Sequence, residues 1–310
     1  MNVDIVCISG YNYNPPQSQP DKNIFIDRKK NSKYLLMILA GYKPFLYEDI
    51  FARVKKFVPV HFDVCIISSG LFDETLNKIA AENDWSYLST TQNNVPLIQN
   101  LAIMIHEQAE WLFKMDEDIF ITEGVFDTLL KTYVHVQTHG HFNVGFVAPL
   151  IPINSYGYVR ILEKLDLLET YEKMFERAFY GSFYFQKIIN HPDVSKFFWG
   201  EGGFVPSIDA MNAAFRIQKM EYSICSIRFN IGCILFHRDF WKAMGGWQLP
   251  SPESYGGATD EFQICRICAE NAIAMVVAEN SVVGHLSFCD QTEAMKEYYL
   301  THREIFRCPN

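Results

Sequence analysis

The chain has 310 residues, 49% of them apolar and 15% aromatic, enough to bury a substantial core and too apolar for a disordered polymer. A net charge of −9, with no basic run longer than Arg28-Lys29-Lys30, argues against nucleic-acid binding and against an electrostatic grip on an anionic membrane. The longest apolar stretches, 34–42 and 272–278, fall short of the ~20 residues that cross a bilayer. Residues 1–10 carry Asp4 where a secretory leader needs positive charge, so the expected location is cytoplasmic.

Residues 1–33 open with a strand-like run at 3–9 and pass into a Tyr, Asn, Pro, Gln and Ser mixture, which reads as an N-terminal extension. From Tyr34 a rhythm begins. The continuous apolar run 35–40 suits a strand buried on both faces. A turn at 41–44 follows, and Pro44 suits the start of a helix carrying Leu46, Ile50, Phe51, Val54 and Phe57 at helical spacing. Strands are expected at 64–67, 85–89 and 111–115. The helices between them carry Phe72, Leu76, Ile79 and Ala80, then Leu97, Leu101, Met104 and Ile105. Short apolar strands alternating with helices predict βαβ units and a mostly parallel sheet.

A further helix is expected to carry Val125, Phe126, Leu129, Leu130 and Tyr133, followed by a strand at 143–151. Residues 154–227 lack strand rhythm and read as a helical insertion with a glycine loop, Gly200-Glu201-Gly202-Gly203. The strand pattern resumes at 229–237. A short helix leads into Gly245-Gly246-Trp247, and a Pro/Ser/Gly loop follows. The chain then offers a helix at 260–270, a strand at 273–278 and the segment 281–287 with His285. The expected organisation is therefore 1–33 extension, 34–153 nucleotide-binding half, 154–227 insertion and 228–310 second half.

Met115-Asp116-Glu117-Asp118 stands at the carboxyl end of the fourth strand of the rhythm, where parallel α/β sheets bind ligands. Asp116 and Asp118 alternate, so both are expected on one side of the turn. Two such carboxylates repel each other unless a divalent cation joins them to a diphosphate. An acidic solvated turn would give the same string. Its position between two apolar runs favours the site.

The segment Trp-Leu-Phe-Lys-Met-Asp-Glu-Asp-Ile-Phe-Ile (111–121) resembles the DxD segment of GT-A glycosyltransferases, close to the family 2 type. Three further segments follow in that family's order. Arg228-Phe229-Asn230-Ile231-Gly232 with Lys242-Ala243-Met244-Gly245-Gly246-Trp247 resembles its acceptor-side strand and glycine turn. Thr259-Asp260-Glu261 resembles its acidic dyad. Val283-Gly284-His285 resembles its late histidine. Together they cover roughly residues 34–287.

The resemblance implies a GT-A (Rossmann-like) α/β fold: a mostly parallel sheet flanked by helices, with a helical insertion. It implies a nucleotide-diphosphate sugar donor, UDP-linked by preference, and a glycan or lipid-linked acceptor in bacterial surface polysaccharide synthesis. Asp116 would face ribose and metal, Asp118 would bind the metal and His285 would complete its shell. Asn100 would lie near the donor. Asp260 or Glu261 would be the catalytic base, with Glu261 favoured by register. Apart from the resemblance, Arg228 reads either as a surface charge or as a contact to the diphosphate. Trp199, Trp241 and Trp247 read first as core, and Trp247, after two glycines, is the one best placed to stack on an acceptor sugar. Mn²⁺ suits a carboxylate–imidazole set better than Mg²⁺, which prefers oxygen alone. A single base with direct attack predicts inversion at the anomeric carbon. Peripheral membrane attachment is compatible with a lipid-linked acceptor.

The pattern departs from the family in two places. Ser68-Ser69-Gly70 replaces the acids expected after the second strand of the rhythm, and the dyad reads Asp-Glu where Glu-Asp is usual. Two other functions compete. One is a catalytically silent sugar-binding or scaffold protein of the same fold. The other is a nucleotidyltransferase, disfavoured by the meagre Gly41-Tyr42-Lys43-Pro44 loop. Cys265, Cys268, His285 and Cys289 have a zinc-like order, but the first two also fall at the helical spacing of a packed core.

Overall fold

The computed structural model describes residues 5–9, 22–181, 186–249 and 259–309. The elements begin with β1 (Ile5–Ser9), β2 (Asn23–Asp27), β3 (Tyr34–Leu39), α1 (Tyr47–Phe57), β4 (Asp63–Ser68), α2 (Glu74–Glu82), β5 (Ser86–Ser89), α3 (Val95–Ile105) and β6 (Trp111–Asp116). Next come β7 (Ile119–Phe120), α4 (Val125–His139), β8 (Val144–Leu150), α5 (Gly157–Lys164), α6 (Leu168–Met174), α7 (Lys187–Asn190), α8 (Pro192–Phe198), α9 (Ile208–Arg216) and β9 (Tyr222–Ile224). The chain closes with β10 (Cys233–His237), α10 (Arg238–Ala243), α11 (Thr259–Glu270), β11 (Ala274–Val282), β12 (Gly284–His285), α12 (Thr292–Thr301) and α13 (Arg303–Phe306). The fold is mixed α/β, with a mostly parallel sheet flanked by helices.

The chain forms two compact units. The first holds residues 1–47, 58–117 and 233–264, and the second holds 48–57, 118–232 and 265–310.

In the first unit the strands run in the order β1-β2-β5-β4-β3-β6-β10. The pairs β5/β4, β4/β3 and β3/β6 are parallel, while β2/β5 and β6/β10 are antiparallel. The order β5-β4-β3-β6 reverses direction at β3/β6. That is the switch point of a doubly wound sheet, where the crevice at the strand carboxyl ends takes ligands. Local chemistry sets the helix starts: Asp73 caps α2 through the Leu76 amide at 3.0 Å, and Asn94 caps α3 through the Leu97 amide at 3.0 Å. Residues 23–27 of the presumed extension form a buried strand of this sheet. Met104, expected on the inner face of α3, is 45% exposed; Leu97, Ile98, Leu101 and Ala102 supply the buried face instead.

In the second unit β8 and β11 pair in parallel, and β9 lies antiparallel to β11. A separate two-stranded ladder joins β7 to β12, with Ile119 opposite His285 and Phe120 opposite Gly284. Helices α5 to α9 lie within 154–227, and so does β9, where no strand rhythm was expected: three residues are too few to show a period. The run expected to begin a strand at 229 is strand only from Cys233. Before it, Asn230 is taken up by the 154–155 turn, its Oδ1 accepting from the Ser155 amide at 3.3 Å and its carbonyl accepting from Asn154 Nδ2 at 3.2 Å. Among the described residues no helix is long and apolar enough to cross a membrane.

Candidate active site

In the first unit Asp116 closes β6 at the switch point, opposite Leu39 of β3. Lys114 lies two residues earlier on the same face of the strand, and its ammonium meets Asp116 Oδ1 at 2.7 Å. The Lys114 side chain is 4% exposed and that of Asp116 33%. Burial alone would push the Lys114 pKa down. The charges of Asp116 and Asp260, and then Glu261, outweigh it and hold the ammonium above the usual lysine value. Lys114 is thus a buried cation serving three carboxylates from two elements. Sequence reading missed it, because a lysine inside an apolar run looks like a strand residue facing water.

The dyad sits on the first turn of α11, and both acids are buried. Asp260 is fixed from two sides: Gln99 Nε2 donates to its Oδ2 at 2.8 Å, and the Glu261 amide donates to its Oδ1 at 2.9 Å. Glu117, the middle acid of the triplet, has a different duty. Its carboxylate accepts from the Gly41 amide at 2.9 Å and the Tyr42 amide at 3.0 Å, shaping the loop after β3.

Asn100 and Trp247 meet each other in this unit. Asn100 spends its amide on the glycine turn: Nδ2 donates to the Trp247 carbonyl at 2.8 Å, while Oδ1 accepts from the Trp247 amide at 2.9 Å and Trp241 Nε1 at 3.1 Å. Gln263 holds the same turn, donating to the Gly246 carbonyl at 2.9 Å and accepting from the Gln248 amide at 2.7 Å. Gly246 has φ of 75°, a left-handed conformation that a side chain would strain. Trp247 is 2% exposed, packed edge-on to Phe236 at 5.7 Å, so its ring offers no open face to a sugar.

In the second unit Asp118 and His285 come together. His285 Nε2 lies 3.5 Å from Asp118 Oδ2, and both side chains are largely buried. The β7/β12 ladder brings them close, and the Leu286 amide adds a bond to the Asp118 carbonyl at 3.0 Å. His285 Nδ1 lies 2.8 Å from the Ile153 carbonyl. A carbonyl only accepts, so Nδ1 carries the hydrogen, and in the neutral ring Nε2 turns its lone pair toward the carboxylate. Carboxylate oxygen and imidazole nitrogen then stand as two potential ligands to one cation. This donor set fits a divalent cation of the Mn²⁺ type, and the bond at Nδ1 is the kind that orients a ligating histidine. Among the described residues no group of three or more His, Cys, Asp or Glu is gathered to hold a metal.

Arg228, also in this unit, is half-buried, and its carbonyl accepts from Ser155 Oγ at 3.3 Å. The zinc alternative finds no support in its described residues. Cys265 and Cys268 are buried in the core, and the Cys265 thiol is bonded to the Phe229 backbone, donating to its carbonyl at 3.5 Å. The side chain of Cys289 lies outside the described residues, as do Gly256 and Gly257 of the second glycine-rich stretch. Residues 201–203 of the first stretch form a short 3-10 turn after Trp199.

No protein-family model matches the chain, and no curated protein matches it. Solved structures do. The mannosyltransferase PcManGT from Pyrobaculum calidifontis, in complex with GDP-Man and Mn²⁺, is similar over 84% of this chain and 58% of its own length, with 14% identity and a TM-score of 0.48. S. aureus TarS 1–349 is similar over 88% of this chain and 64% of its own length, with 12% identity and a TM-score of 0.44. The chain therefore spans less than two thirds of the length of either protein.

Proposed function

We propose that this chain is a GT-A-type glycosyltransferase that moves a sugar from a nucleotide diphosphate, a UDP-sugar by expectation, to a hydroxyl of a glycan or lipid-linked acceptor. The observation that carries this proposal is the place of Asp116. It ends β6 at the β3/β6 switch point, and Lys114 links it electrostatically to the dyad on α11. Asp118 and His285 would hold the divalent cation, whose chemistry when bound is Lewis-acid stabilisation of the leaving diphosphate. Asp116 would face the nucleotide, and Arg228 would meet the donor phosphates.

Glu261 is the proposed general base. Its neighbour Asp260 is already fixed by Gln99 and a backbone amide, which suits a positioning duty. The acceptor proton would pass to the Glu261 carboxylate as the hydroxyl oxygen attacks the anomeric carbon. One base and one displacement give inverted configuration, and the product class would be a bacterial surface glycan.

Glu261→Gln tests the base directly. Its kcat is expected to fall roughly a hundredfold or more, the usual worth of a general base, with nucleotide affinity unchanged. NMR of the product should show the inverted anomer. Full turnover by Glu261→Gln would place the base elsewhere, and a retained anomer would reject single displacement.

A further inference from the structure

Arg53 of α1 has a fully buried side chain. Burying a guanidinium costs several kcal/mol unless its hydrogens are well used. Here they are. Nη1 and Nη2 grip both oxygens of Asp209 at 2.9 and 2.8 Å. Nη1 also donates to the Ile121 carbonyl at 3.2 Å. Nη2 donates to the Arg307 carbonyl at 2.9 Å, and Nε to the Phe306 carbonyl at 3.4 Å. One side chain therefore ties the end of β7 to the segment following α12. The rest of α1 holds the same segment: Glu48 and Asp49 bind Arg303 at 2.9 and 3.0 Å, and Lys56 binds the Pro309 carbonyl.

That segment presses Phe306 into a ring cluster. Phe306 lies 4.3 Å from Trp199 and 5.5 Å from Phe120, centroid to centroid. Trp199 in turn donates its Nε1 hydrogen to the His285 carbonyl at 3.1 Å. Gly284 permits this approach, since a Cβ there would stand 2.5 Å from the Trp199 ring. A continuous path thus runs from Arg53 through Phe306 and Trp199 to the backbone of His285, and from Arg53 through Ile121 to the strand that follows Asp118. All of these residues lie in the second unit.

We propose that Trp199, backed by Phe306 and by Arg53, is a positioning residue that sets the orientation of the Asp118–His285 pair, making the segment 303–309 a working part of the cation site. The proposal rests on the cation assignment made above for Asp118 and His285. Neither Trp199 nor Arg53 would touch the cation. They hold the ladder that carries its ligands, and outer partners of this kind are worth about 10–100-fold in metal affinity.

The test is Mn²⁺ titration of the full chain, followed by the loss of the free-ion EPR signal, with thermal unfolding measured in parallel. Trp199→Phe keeps an aromatic ring in the cluster but removes the bond to His285 and the indole edge that packs on Gly284. It is expected to weaken Mn²⁺ binding about tenfold, with a lowered unfolding midpoint but the chain still folded at the temperature of the titration. Arg53→Lys keeps a charge for Asp209 but cannot span the Ile121 and Phe306 carbonyls, and a similar weakening is expected. Asp118→Asn should abolish binding. If Asp118→Asn abolishes binding while Trp199→Phe and Arg53→Lys bind as the wild type does, the positioning role is wrong and the cation site stands. If the wild type binds no Mn²⁺, the cation site fails and the positioning role fails with it.

Discussion

At the scale of single residues, the candidate site divides into side chains whose sequence context announced them and side chains whose context hid them. Asp116, Asp118, Asp260, Glu261 and His285 could be named as candidates from their places at element ends and the order of their motifs, although acids at turns and helix starts have structural uses too. Lys114, Gln99 and Glu117 were not, because each gains its meaning from a partner distant in sequence. The bonds between Asn100 and Trp247 were hidden for the same reason: a polar residue before the DxD strand and an aromatic after two glycines meet only through the folded turn. Lys114 gives the prediction at this scale. Lys114→Met removes the counter-charge of three carboxylates while keeping the volume. It should cost about 3 kcal/mol in urea unfolding, below the full cost of breaking a buried pair because Asp116 is partly exposed. An unchanged unfolding midpoint would mean that the cluster is solvated and that Lys114 does not hold it.

At the scale of elements, the β3-to-β6 rhythm was readable because continuous apolar runs and capped helices mark each boundary. Shorter strands escaped. β9 has three residues, and β7 and β12 two each, too few for a period to emerge from composition, while the five residues of β2 lie in the stretch read as an extension. Yet the β7/β12 ladder is what joins Asp118 to His285. Gly284 is its tightest point. A methyl group there would lie 2.5 Å from the Trp199 ring and 3.0 Å from Ile208 Cδ1. Gly284→Ala should therefore destabilise the fold by ~1–3 kcal/mol, the usual cost of overpacking, and weaken Mn²⁺ binding through the displaced indole. A variant as stable as wild type with unaltered cation affinity would show that the close approach has no consequence for the site.

At the scale of the whole molecule, the sequence conveyed the fold class and the order of its motifs, while the division into units depended on contacts that no local pattern carries. α1 shows why. Its spacing predicted a helix of the opening βα rhythm, whereas its charges, Glu48 and Asp49 against Arg303 and Arg53 against Asp209, tie it to residues of the second unit. Composition is equally silent on the nucleobase, because Ser68 and Ser69 are buried and uncharged where acids were expected. The most direct test of the central claim is calorimetric titration of UDP, GDP and CDP, with and without Mn²⁺, into the wild type and Asp118→Ala. Binding of one nucleotide that requires Mn²⁺ and is lost in Asp118→Ala is the expected result. Binding of none of the three, or binding indifferent to both Mn²⁺ and Asp118, would contradict a nucleotide-sugar site in this chain.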